Sequence, residues 1–160
     1  MLHALVSPQG TIDRIEANVD PTVRTRAGWR WLPFEETPAP DYSGKLENAS
    51  AVPVVADGKV IREWTIERKP IEEQRQAVKA EARRRILDRF PDWRQANMTA
   101  RGIELTLARV GREWTEGEQQ EADAIQAAWD WVKAIRSASD VVEAMAPIPA
   151  DFRDDKHWPE

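Results

Sequence analysis

One helical segment of the 160-residue sequence carries an unbroken heptad pattern. Its apolar residues advance in alternating steps of three and four: Trp93, Ala96, Ala100, Ile103, Leu107 and Val110. This spacing places all six on one face of an α-helix and is typical of helices that pack against other helices. Pro91 is predicted as the first helical residue and Gly111 as the C-terminal cap. The sequence therefore predicts a helix from Pro91 to about Val110, with its stripe in the core.

Two further helices are predicted beside this one. The segment 71–90 spaces Val78, Ala82 and Ile86 by four residues and follows a proline, as helix beginnings often do. Thr115 and Glu118 have the form of a capping box, which predicts the start of a third helix that runs to about Met145. Because the connections between the three helices are short, we expect antiparallel neighbours.

The N-terminal residues contain short runs typical of β-strands. The predicted strands are Leu2–Ser7, Thr11–Ala17, Trp29–Leu32, Val52–Ala56 and Lys59–Ile66. Asp57-Gly58 suits a type I′ turn, in which both central residues take positive φ, and it predicts a hairpin between the last two strands. Pro53 restricts the first arm of that hairpin to a sheet edge.

These elements predict the α+β fold class, with a small antiparallel β unit followed by a three-helix antiparallel unit. The β unit occupies residues 1–68 and contains a Pro-rich loop over 37–53. The helical unit occupies residues 70–146. Residues 147–160 predict a polar C-terminal tail, because 151–160 are mostly charged.

Composition argues against several classes of function. The chain has no Cys, which excludes disulfides, thiolate zinc sites and thiol catalysis. His3 and His157 lie at opposite ends, and no spacing typical of metal ligands is present. There is no glycine-rich phosphate loop and no GxSxG motif. We therefore expect no enzyme activity, no cofactor and no metal, and neither a transmembrane helix nor a signal peptide.

The eight Trp residues are candidates for core packing and for partner contact. Trp93 and Trp129 lie on or beside helical stripes, where the core is favoured. Trp29 and Trp31 would face the same side of their strand, as the core of a small sheet or as one wall of a contact site, with the core favoured. More apolar groups are present than three helices bury. We therefore expect an oligomer or a docked partner, with Trp131 and the Trp29/Trp31 pair as contact residues.

The helix over 71–90 offers an alternative function, because Arg83, Arg84, Arg85 and Arg89 could bind phosphates of a nucleic acid. Consecutive helical residues fan out by about 100° each, so these side chains do not form one patch. Glu81 and Asp88 lie within helical reach of Arg84 and Arg85. With a net charge of −5, an internally paired face is favoured over a nucleic-acid-binding accessory protein.

The segment from Phe90 to Leu105 contains Pro91, Trp93, Arg94, Gln95 and Asn97 in the pattern Pro-x-Trp-[Lys/Arg]-Gln-x-Asn. It resembles a helix opening that recurs in small tail-associated proteins of tailed bacteriophages, some of which are tail fibre assembly chaperones. The stretch 121–136 and the strand that ends at Trp64 extend the resemblance to about residues 50–140. Physically, Pro91 opens the helix, Trp93 packs at its base, and Gln95 and Asn97 offer amides for hydrogen bonds.

The resemblance implies a non-enzymatic role in tail fibre assembly or attachment, or as a minor fibre or baseplate component of the virion. Its partners would then be a tail fibre or other tail proteins. The protein would act in the host cytoplasm during assembly, or remain in the virion tail.

Overall fold

The computed structural model describes residues 1–23 and 25–160, which form two compact units, Met1–Lys69 and Pro70–Glu160. The first unit is a five-stranded sheet and the second contains three helices, so the predicted α+β fold class is confirmed. The strands are β1 (Leu2–Val6), β2 (Ile12–Ala17), β3 (Arg30–Glu35), β4 (Glu47–Ala56) and β5 (Lys59–Arg68). Their order in the sheet is β2-β1-β3-β5-β4.

The core of the β unit lies on one face of the central strands. Its buried side chains alternate along β1 and β3 and include one residue of β5: Ala4, Val6, Leu32, Phe34 and Val60. Alternation places every second residue of a strand on the same face. Trp31 therefore lies on the opposite face, where it is half-buried and pairs across the sheet with Leu5.

The hairpin of β4 and β5 forms as predicted. Asp57 and Gly58 both take positive φ, 49° and 75°, and β4 is an edge strand that accommodates Pro53. β4 begins at Glu47, so the predicted loop over 37–53 ends seven residues early. Residues Glu47–Val52 belong to β4 because each of them pairs with a residue of β5, which extends to Arg68.

The sheet is mixed and not purely antiparallel. β3 and β5 run parallel, with Phe34 beside Val60 and Glu35 beside Ile61. Turn residues predict only local hairpins, whereas parallel neighbours are joined by long connections that carry no local signal. β3 also begins one residue later than predicted, so Trp29 precedes it, and it continues through Pro33. Pro33 pairs with His3 of β1, and pairing with β5 begins only at Phe34.

The helices are α1 (Ile71–Arg89), α2 (Asp92–Gly111) and α3 (Glu116–Glu143), followed by a 3₁₀ turn at Asp155–His157. α1 packs on the C-terminal half of α3, where Lys79 Nζ lies 3.5 Å from a Glu143 carboxylate oxygen. α2 packs on the N-terminal half, where Arg101 Nη2 lies 2.9 Å from Glu121. Both helices are therefore antiparallel to α3, as predicted.

α1 and α2 follow each other along α3 and are not antiparallel to one another. Phe90, at their junction, contacts Trp131 near the middle of α3. The junction consists of Phe90 and Pro91, whose ψ angles of 83° and 155° extend the chain without reversing it. The short connection at Phe90–Pro91 predicted that the chain reverses between α1 and α2, but the chain continues in the same direction.

The prediction of a polar tail over 147–160 is also wrong in one respect, because this segment belongs to the helical core. Ile148, Phe152 and Trp158 are fully buried. The Trp158 indole Nε1 donates a 2.8 Å hydrogen bond to the Phe152 carbonyl. Charged residues outnumber apolar ones in this segment, but three well-placed apolar side chains suffice to anchor it.

Candidate functional site

The apolar face of α2 is the largest departure from the sequence-based expectations. We call Trp93, Ala96, Ala100, Ile103, Leu107 and Val110 the α2 stripe. All six are exposed, and the large ones reach 67% at Trp93, 57% at Ile103, 67% at Leu107 and 85% at Val110. The prediction that this stripe and Trp93 lie in the core is therefore wrong within the single chain.

α2 has a second, narrower apolar face, and this face packs on α3. Of the residues of α2, all of which the structure describes, Leu105 alone is fully buried. A Cβ on Gly102 would lie 3.9 Å from Ile125, which is ordinary van der Waals contact. The Trp114 indole Nε1 donates a 2.6 Å hydrogen bond to the Leu105 carbonyl. These contacts turn the α2 stripe outward.

Met98 and Leu105 lie off the α2 stripe, yet both are less exposed than any residue of the stripe. Both lie on the face toward α3, Leu105 buried and Met98 half-buried. A signal was available, because Met98, Gly102 and Leu105 also advance by four and three. Two overlapping periodic patterns on one helix predict two contact faces.

The α2 stripe continues into a groove between α2 and α3. The groove has a volume of about 520 Å³ and its main apolar lining residues are Met98, Gly102, Ile103, Leu107, Ile125 and Trp129. α2 and residues 116–130 of α3 thus form an arm of two helices with an open apolar side, which we call the α2–α3 arm. Such a side fits a further helix.

Trp131 is engaged within the helical unit. Its ring lies edge-to-face with Phe90 at a centroid distance of 5.7 Å, and the Arg89 guanidinium lies 4.6 Å from its centroid. Its Nε1 donates a 2.8 Å hydrogen bond to the Glu160 carbonyl. A role in partner contact stays a prediction, but the more exposed apolar surface is on α2.

Trp29 and Trp31 are both half-buried and lie under arginine side chains. The Arg26 guanidinium is 3.8 Å from the Trp29 ring centroid, and the Arg14 guanidinium is 5.8 Å from that of Trp31. Neither ring belongs to the core cluster of the sheet. The structure therefore does not support the favoured core role, and contact with a partner stays a prediction for this pair.

The helix-opening motif joins α1 to α2. Gln95 Nε2 donates a 2.7 Å hydrogen bond to the carbonyl of Phe90, so its amide forms a hydrogen bond of the kind expected. Pro91 occupies the N-cap position, so α2 begins at Asp92, one residue later than predicted. Trp93 is exposed and does not pack at the helix base, and Asn97 is exposed beside the α2 stripe.

The capping box at the start of α3 is confirmed. The Glu118 amide donates to the Thr115 hydroxyl at 3.3 Å, and the Thr115 amide donates to the Glu118 carboxylate at 2.9 Å. Arg112 holds both Glu118 carboxylate oxygens at 2.6 Å. These hydrogen bonds, first from Arg112 and then from the Thr115 amide, lower the pKa of Glu118 to about 2. The turn between α2 and α3 is therefore closed by charge as well as by capping.

The arginines of α1 are largely paired, as predicted. Arg84 binds Glu81 and Asp88, each at 2.6 Å, and Arg85 binds Glu81 at 2.9 Å. Arg153 of the C-terminal segment also reaches Glu81, at 3.1 Å. Burial raises the pKa of the Glu81 carboxyl, but the hydrogen bonds from these guanidiniums outweigh it and the net direction is downward. Arg84 and Arg85 therefore have the predicted carboxylate partners, and phosphate binding by α1 stays the alternative prediction.

Comparisons with models of known families, with curated proteins and with solved structures found no match. Across residues 1–23 and 25–160, no helix is long and apolar enough to cross a membrane. Over the same residues, no group of His, Asp and Glu side chains is arranged to hold a metal ion. The open side of the α2–α3 arm is therefore the feature on which a functional proposal rests.

Proposed function

We propose that this chain is a non-enzymatic, tail-associated protein of a tailed bacteriophage and that it acts by binding other proteins. Its role would lie in tail fibre assembly or attachment, or in a minor fibre or baseplate position in the virion. The phage context rests on the resemblance of residues 90–105. The binding role rests on the exposure of the α2 stripe.

The exposed area of the α2 stripe supports a binding role. Its four large side chains together expose on the order of 500 Å², which is as large as the biggest apolar patch on a typical monomer. Leaving this area in water costs roughly 25 cal/mol per Å² relative to burial. The patch lies on one face of one helix, where a partner can cover all of it.

The edges of the α2 stripe favour a protein partner over a lipid surface. Its flanking positions are mostly uncharged: Asn97, Thr99, Glu104 and Thr106. The arginines of α2 engage other groups, since Arg101 binds Glu121 and Arg109 lies 4.8 Å from the Trp114 ring. A helix that binds anionic lipid instead borders its apolar face with free Lys and Arg.

A phage that carries this gene tests the proposal. Ile103→Ser with Leu107→Ser makes the centre of the α2 stripe polar and leaves Leu105, the buried residue of α2, in place. We expect the variant chain to fold, shown by far-UV circular dichroism, to lose co-purification with tail proteins, and to yield fewer infectious particles. Val141→Ser is the matched control, because Val141 is 61% exposed on α3 outside the α2–α3 arm.

Equal co-purification and equal infectivity for both variants would overturn the proposed function. Mass spectrometry of purified particles then separates its two forms. A virion component is recovered with the particle in stoichiometric amount, and an assembly chaperone is absent from it.

A further inference from the structure

We infer that the α2 stripe is covered by the α2 stripe of a second copy of this chain, with the two α2 helices antiparallel. The inference rests on the proposed function in taking the same surface as a protein-binding one: the second copy covers the stripe in the free protein, and a tail protein displaces that copy when it binds. It commits to an occupant, an orientation and a register. Each is argued from the residues of the stripe.

The register follows from the heptad pattern. In an antiparallel pair of helices, each a position faces a d position of the partner. We place the centre of the antiparallel pair midway between Ala100 and Ile103. Ala100 then lies against Ile103 of the second copy, and Ala96 lies against its Leu107. Trp93 then lies against Val110 of the second copy. Every residue of the α2 stripe has a partner.

Side-chain size favours this orientation. Each alanine of the stripe faces a large aliphatic residue, and the largest residue, Trp93, faces the smaller Val110. Layers that alternate large and small side chains fill space at an even helix separation. The four inner layers are therefore similar in size, and the bulkiest pair, Trp93 with Val110, lies at the two ends of the stripe.

The parallel orientation lacks this match. It would set like against like, so that Ala96 and Ala100 form adjacent layers of alanine pairs. The Ile103, Leu107 and Val110 layers would then pair large residues at the other end. Helices held apart by large pairs leave voids between small ones, and such voids destabilise packing.

The polar flanks agree with antiparallel pairing. In the same register, Asn97 lies opposite Glu104 of the second copy and Thr99 lies opposite its Thr106. Neither pair brings like charges together, and the Asn97 amide can donate to the Glu104 carboxylate. The helix dipoles also run in opposite senses, which is the favourable arrangement.

The area buried between the two stripes indicates how stable the dimer should be. Two stripes bury together on the order of 1,000 Å², and the groove beside Ile125 and Trp129 adds to this. Interfaces of this size lie at the small end for specific complexes. The dimer should therefore be a weak one that dissociates on dilution.

The absence of Cys from the sequence allows a direct test of the register. Ala96→Cys and Leu107→Cys are made separately, and the full-length chains are oxidised alone and as an equimolar mixture. In the antiparallel pairing, the mixture forms covalent dimers of one chain of each kind. Either variant alone links poorly, because its two thiols lie about 16 Å apart along the helix axis. Val141→Cys is the control for random collision.

Each other outcome overturns the inference. Efficient linking of Ala96→Cys with itself means a parallel pair. A second result would be that the mixture links no better than Val141→Cys and that the protein sediments as a monomer at every concentration. This result means that no second copy covers the stripe. The proposed function fails separately. A dimer that captures no tail protein contradicts that function, and a monomer that captures one contradicts the dimer alone.

Discussion

The two ends of the helical unit are built from similar helices but buried to different degrees. At one end, α1 and residues 131–143 of α3 enclose a core with Val132, Ile135 and Val142, each at most 1% exposed. At the other end, the α2–α3 arm leaves the whole α2 stripe in solvent. The difference lies in the C-terminal segment 147–160, which adds a third layer beside α1 and α3. Residues 147–160 add the buried Ile148 and Phe152 to the enclosed end, and no segment among the described residues covers the α2 stripe.

This comparison shows that heptad spacing marks a face that packs, and does not show whether its partner is in the same chain. Residue spacing on α3 at Val132, Ile135 and Val142 resembles that of the α2 stripe. One set is core and the other is surface. The enclosed end should therefore carry most of the stability of the helical unit, and the arm most of its binding capacity.

The largest effect should come from the third layer itself. Phe152→Ala empties a fully buried position, and such cavities cost about 3–5 kcal/mol in the free energy of unfolding. Denaturant unfolding followed by far-UV circular dichroism measures it. Trp93→Ala on the arm is the matched aromatic control, with an expected loss below about 1 kcal/mol for the dilute monomer. Equal losses would remove the distinction between the two ends.

The next effect should come from the charge cluster that fixes the C-terminal segment. Glu81→Gln leaves the guanidiniums of Arg84, Arg85 and Arg153 without their shared carboxylate. The Glu81 carboxylate is buried, but Arg84 and Arg153 are about half exposed, so the expected loss is about 1–3 kcal/mol. Glu104→Gln breaks an exposed pair with Arg101 and serves as the control, with a much smaller expected loss. The comparison fails if the two substitutions cost the same.

A smaller effect should arise at the turn that closes the arm. Thr115→Ala removes the hydroxyl that accepts from the Glu118 amide and should cost about 1 kcal/mol. Hydrogen exchange should speed up at the first amides of α3 and stay unchanged at residues 131–143. Thr115→Ser keeps the hydroxyl and should restore protection. Faster exchange along the whole of α3 would contradict the independence of the two ends.

Acid should weaken the same turn. The pKa of Glu118 is lowered from 4.5 to about 2, so its ionised form is favoured by folding. Its contribution to stability is complete above pH 4.5 and is lost as the pH falls toward 2. The stability difference between the parent chain and Glu118→Gln should therefore shrink over that range. A difference that is constant with pH would contradict the pKa of this carboxyl.

The smallest effect should come from the α2 stripe in the dilute monomer. Leu107→Ser changes an exposed position and should alter the free energy of unfolding by less than about 0.5 kcal/mol. The same substitution should abolish the concentration dependence of sedimentation. A large loss in the dilute monomer would mean that the arm folds its stripe inward.

Local features of the fold could be predicted because their interactions span only a few residues. The turn at Asp57-Gly58 needs positive φ at two adjacent residues, and the capping box needs Thr115 and Glu118 three apart. The arginine pairing on α1 depends on helical steps of three and four. In each case the physical cause lies within one turn of the chain, so the sequence displays it directly.

The sequence alone thus determined the three helices, the capping box of α3, the hairpin and the α+β class, since local backbone preference and periodicity decide these. Tertiary structure decided that β3 and β5 are parallel, that residues 147–160 join the core, and that α2 turns its wider apolar face outward. α2 carries two apolar faces with helical spacing, and periodicity ranks them only by width. Which one is buried depends on the side chains that α3 presents, and that is a property of the packed unit.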